Sequence, residues 1–98
     1  MNTETEPIVE SGGNVFADLG FSEEEATLLK LRADLMASLR QTIEARNWTQ
    51  AQAAAEFGIS QPRVSDLMRG KWDKFSLDML LALVVRAGLH PRIELEAA

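Results

Sequence analysis

Apolar side chains recur at three- and four-residue intervals in four runs along the chain, and each run is preceded by a hydroxyl residue able to cap a helix. In the longest, Leu28, Leu31, Leu35, Leu39 and Ile43 share one face of a helix predicted from Ser22 to about Arg46. Leu29 and Met36 widen that face, and Lys30, Arg32, Arg40 and Glu44 lie elsewhere. Ser22-Glu-Glu-Glu25 is a capping box with its acids at the favourable end of the helix dipole. Asn47 and Trp48 close this helix, and Thr49 caps a short Ala-rich one over Gln50 to Phe57, ended by Gly58. Ser60 opens the third, with Pro62 in its first turn, and Gly70 stops it after Arg69. A loop, Lys71-Trp-Asp-Lys-Phe75, leads to Ser76 and a last helix whose Leu77, Leu80, Leu81, Leu83, Val84 and Val85 form a stripe broader than a small monomer needs.

After Gly88 the period changes from about four to two. Ile93 and Leu95 alternate with Arg92, Glu94 and Glu96, the pattern of a short strand over about 91–96, which needs a partner in an otherwise helical chain. At the other end Val15, Phe16, Leu19 and Phe21 are interrupted by Asp18 and Gly20. They are too broken for a long helix and too apolar to stay in water, so they are expected to dock. Met1 to Gly13 is acidic and closes on Ser-Gly-Gly, which predicts a flexible tail. The expected organisation is therefore a tail, 1–13, and one all-α domain, 14–98: a compact five-helix body with a short C-terminal β-strand.

Ninety-eight residues suffice for one domain with limited core, so dimerisation would add stability. Cysteine is absent, which removes disulfides and thiolate metal sites and favours a cytosolic address. The N-terminus lacks the pattern of a signal peptide, and no apolar run approaches the roughly 18 residues of a membrane span. The net charge of −5 argues at first against a polyanion partner. The charge is segregated, however: residues 1 to 30 hold seven acids and one base, leaving +1 on the other 68. Arg63, Arg69, Lys71 and Lys74, with Asp66 and Asp73 among them, form the basic part, and it coincides with the two short helices.

Two short capped helices so close together meet the mechanical requirements of a helix-turn-helix over residues 50–69. Ala54 is small where the helices approach, Gly58 tolerates the turn, and Ile59, Val64 and Leu67 are spaced to hold the second helix from below. The segment TQAQAAAEFGISQPRVSDLMRGK resembles the helix-turn-helix of the XRE superfamily of phage repressors and Cro-like regulators. The wider pattern, NVFADLGF before a long helix and then RGKWDKFSLDMLLALV, is similar to HigA-type antitoxins within it.

The resemblance implies a Cro/repressor-like fold and a role at each matching position. Gln50 would bond a phosphate with help from the amides of its helix. Ser60, Gln61 and Ser65 would face the major groove, Gln61 pairing with adenine and Ser65 bonding base or phosphate. Pro62 would touch a thymine methyl. Arg63 and Arg69 would read guanine or hold phosphate. Asp66 would select a cytosine amino group or pair with Arg69. Arg69, Lys71 and Lys74 divide between phosphate contact and solvation, with Lys71 counted in the DNA-binding set. Trp48, Trp72 and Phe75 are expected in the core, and His90 in a structural role or none.

The implied function is sequence-specific repression by a homodimer on a palindromic double-stranded operator, its half-sites about 34 Å apart. Leu80, Val84, Ile93 and Leu95 are the expected dimer surface. A second reading, neutralisation of a basic RelE- or HigB-type toxin, draws on the acidic first third and its embedded apolar residues; a stand-alone phage-type regulator is a third. No phosphate-cradling Gly loop, zinc-protease motif or nucleophile elbow is present, so neither catalysis nor a cofactor is expected. A single His with no Cys gives no transition-metal cluster.

Overall fold

The computed structural model describes residues 14–97, which form five α-helices: α1 Val15–Asp18, α2 Glu23–Ala45, α3 Gln50–Phe57, α4 Gln61–Met68 and α5 Leu77–Arg86, with a 3-10 turn, Trp72–Lys74, before α5. The caps foreseen from the sequence are made. Ser22 Oγ accepts from the Glu25 amide at 3.2 Å while Glu25 Oε1 accepts from the Ser22 amide. Thr49 and Gln52 form the same reciprocal box at α3. Asn47, at φ 55, turns the chain out of α2; Asn tolerates this left-handed conformation better than most residues.

The core lies where α2 crosses the other helices. Phe57, Met36, Leu39, Leu67, Leu80, Leu83 and Val64 are fully buried there, drawn from all four longer helices. Phe75 is buried as expected, and Trp48 packs edge-on against Phe57 at 5.8 Å. The acidic tail expected over 1–13 lies outside the described residues.

Several expectations are corrected by the packing. No β-strand exists among the described residues, so the strand expected over 91–96 is overturned. A strand is defined by hydrogen bonds to a neighbour, and the helical body presents no sheet edge to residues 89–97; Ile93 and Leu95 are left 74% and 92% exposed. The apolar face of α2 is rotated in its first half, where Ala26 and Leu29 are buried while Leu28 and Leu31 remain exposed. The cause is α1, which packs on the Ala26 side: Asn14 Nδ2 donates to the Ala26 carbonyl at 2.9 Å. The quartet in and after α1 divides as well. Phe16 docks edge-on against Trp72 at 5.8 Å and Phe21 at 6.2 Å, but Val15 and Leu19 stay 59% and 69% exposed.

Candidate nucleic-acid interface

The site is built on the turn between α3 and α4. Gly58 has φ 69, and its amide donates to the Ala54 carbonyl at 2.8 Å, as does that of Ile59 at 3.1 Å. This left-handed ending closes α3 within one residue and lets Ser60 cap α4 almost at once. Ala53 and Ala54 are buried where the helices meet, Ile59 is half-buried, and Val64 and Leu67 anchor α4 from beneath. The inner face of α4 is thereby committed to the core, and its outer face is presented by a rigid support.

On that outer face Gln61 and Pro62 are exposed in the first turn, Ser65 is half-buried one turn later, and Arg69 is exposed at the end. Gln61, Ser65 and Arg69 are spaced four residues apart and share one stripe. Ser60 Oγ accepts from the Arg63 amide at 3.3 Å, which leaves its proton free to donate outward. Gln50 is exposed at the start of α3, where the first two helix amides have no intrahelical partner and that of Gln52 is capped by Thr49. Asp66 is half-buried between two cations, 3.5 Å from Arg69 and 4.0 Å from Lys71. Both cations are largely solvated and the distances long, so the pairs are weak and either cation can exchange a carboxylate for a phosphate at small cost.

Arg63 departs from its expected place. Its Nη1 donates to the Lys74 carbonyl at 3.0 Å, its Nη2 lies 3.8 Å from Met79 Sδ, and the guanidinium stands 5.2 Å from the Phe75 ring centroid. It therefore points into the loop before α5 instead of along the stripe. Of the expected dimer residues, Leu80 and Val84 are buried in the protomer core, whereas Ile93 and Leu95 are exposed.

The arginines carry a role that sequence reading missed. Arg86 donates to the Phe57 carbonyl at 2.7 Å, Arg40 to the Leu67 carbonyl at 3.2 Å and Arg46 to the Ala87 carbonyl at 2.7 Å. Each places a cation at the negative end of another helix, α3, α4 and α5 in turn. Neither α3 nor α4 has a basic residue in its own last turn, which is the one sequence signal of such help from elsewhere.

A model of a helix-turn-helix domain family matches residues 15–96. The chain belongs to this helix-turn-helix family. A solved structure provisionally named an XRE family transcriptional regulator is 30% identical with a TM-score of 0.71, over 76% of this chain and 83% of that chain. The likeness places the protein in the XRE helix-turn-helix superfamily, as a DNA-binding transcriptional regulator. No curated protein matches the chain. Within the described residues of this XRE-type domain, no helix is long and apolar enough to cross a membrane.

Proposed function

We propose that the protein is a sequence-specific repressor that binds a palindromic operator as a dimer, and that it is the antitoxin of a type II toxin–antitoxin pair controlling its own operon. The observation that carries the DNA reading is the outer stripe of α4. Gln61, Pro62 and Ser65 are set on a fixed helix, and neither Gln61 nor Ser65 makes a side-chain hydrogen bond among the described residues. Gln61 pairs with adenine, Ser60 and Ser65 with base or phosphate, and Pro62 with a thymine methyl. Gln50, Arg69 and Lys71 hold phosphates, and Asp66 orients Arg69 and Lys71 between them.

Dimerisation is supported by an apolar groove of about 570 Å³ lined by Leu31 and Leu35 of α2, Leu77 and Leu81 of α5, and Leu89 and Ile93 of the segment after α5. One helix-turn-helix buries too little surface for tight operator binding, and a twofold pair doubles it. The antitoxin reading is supported by exposed Val15 and Leu19 with exposed Asp18, Glu23 and Glu24 close by in sequence, apolar and acidic groups suited to a basic protein. On a second reading, neutralisation of a RelE-type toxin through these groups is the primary role and DNA binding is secondary.

A fluorescence-anisotropy titration against the gene's own upstream duplex and a scrambled duplex tests the DNA reading. Salt-sensitive preference for the upstream duplex, reduced by about 1–3 kcal/mol in Gln61→Ala, is expected. Equal weak binding to both duplexes would leave the toxin-neutralising role in first place. Leu19→Glu then tests that role: loss of protection from a neighbouring toxin with DNA binding intact is the expected outcome.

A further inference from the structure

We infer that Arg63 is a positioning residue that reads no DNA, and that it sets Lys74 as a phosphate anchor beside the first turn of α4; the inference rests on the DNA-binding reading above. Arg63 leaves α4 in that first turn, and its guanidinium is occupied on three sides, by the Lys74 carbonyl, the Phe75 ring and Met79 Sδ. To reach a base or phosphate it would have to give up the 3.0 Å bond and the ring face together. Arg63 instead fixes the backbone at Lys74 relative to Gln61 and Pro62, the residues placed to enter the groove.

The loop between α4 and α5 runs back alongside α4. At the far end, the Lys71 amide donates to the Asp66 carbonyl at 3.0 Å; at the near end, Arg63 holds Lys74. Lys71 is drawn toward the Asp66 carboxylate, but the exposed Lys74 ammonium makes no ion pair or side-chain hydrogen bond among the described residues. A cation held at the level of the groove-entering turn stands where the phosphates of the groove wall pass. Of the other nearby cations, Arg40 and Arg86 are held on helix ends, while Arg69 pairs only weakly with Asp66 and serves the far end of α4.

The full chain is titrated with its upstream duplex over a range of salt as wild type, Lys74→Gln, Arg63→Met, Arg63→Lys and the Lys74→Gln/Arg63→Met double variant, with circular dichroism and urea midpoints checking the fold. Lys74→Gln should lower the slope of log K against log salt by about 0.9 for each bound protomer. Arg63→Met should lower it equally, the double variant no further, and the ratio of upstream to scrambled affinity should hold throughout. Arg63→Lys should behave like Arg63→Met, because an ammonium keeps the charge but cannot fork between the carbonyl and the ring. If Arg63→Met does not fold, Arg63→Lys carries the same comparison. Slope losses that add, a slope retained in Arg63→Lys, or a preference relaxed by Arg63→Met would make Arg63 a direct contact and overturn the inference. No effect of Lys74→Gln would overturn it equally. Failure of the wild type to prefer its upstream duplex would refute the DNA-binding reading itself, and this inference with it.

Discussion

Gly58 decides whether two helices or one long helix form. At φ 69 it occupies backbone space that an L side chain adopts only with strain, and an added Cβ would meet nothing closer than Arg86 Nη1 at 3.7 Å. The cost of Gly58→Ala is therefore conformational, not steric, and about 1–2 kcal/mol of stability should be lost. For a chain of this size that is a fall of several degrees in the thermal midpoint. An unchanged midpoint by circular dichroism would mean that the turn is not left-handed in solution. Gly58 was legible because few residues suit such a turn. The destination of Arg63 was not, because spacing places a side chain on a helix face but does not reveal which distant carbonyl and ring will meet it.

Among the elements, α3 and α4 are too short to be stable by propensity alone and depend on their ends and on one packed face. Ser60, Thr49 and Gly58 provide local caps, while Arg86, Arg40 and Arg46 reach the carbonyl ends of α3, α4 and α5 from other helices. Replacing Arg86 by Met should cost about 1–2 kcal/mol, below the full value of a charged hydrogen bond because the guanidinium is partly solvated. Urea denaturation should show this as a lower midpoint with an unchanged m-value; a shift within error would show that the Phe57 carbonyl is held by solvent instead. Boundaries and caps of these helices were readable from neighbouring residues. The rotated face of α2 was not, since Leu28 and Leu29 both fit an apolar stripe and only the position of α1 selects Leu29 for burial.

For the whole molecule, the net charge of −5 obscures a division of labour among the ten Lys and Arg residues. Several hold helix ends or loops, which leaves a small cationic set around α4 as the proposed phosphate contacts. On the proposed DNA-binding reading, modest phosphate contact per protomer would make a dimer the natural binding unit. Sedimentation equilibrium should show dimers, and Leu95→Glu, a change at a fully solvated position of the isolated protomer, should weaken association by tenfold or more without altering the helical signal. A wild type that sediments as a monomer at 100-fold the concentration used for operator binding would refute the twofold arrangement. The broad apolar stripe foreseen on α5 divides: Leu80 and Leu83 close the protomer's own core, Val84 joins that core to the groove beside α2 that Leu77 and Leu81 face, and Val85 is exposed.

The sequence by itself determined the helical class, the capped boundaries and the helix-turn-helix, because caps, turns and periodicity are set by residues within a few positions of one another. Which leucines are core, where each arginine ends and whether the alternating tail becomes a strand were decided only by the tertiary structure. Those outcomes depend on what lies opposite in space. A period of two in residues 91–96 specifies side-chain alternation but not a hydrogen-bonded neighbour, and the helical body gives that segment none.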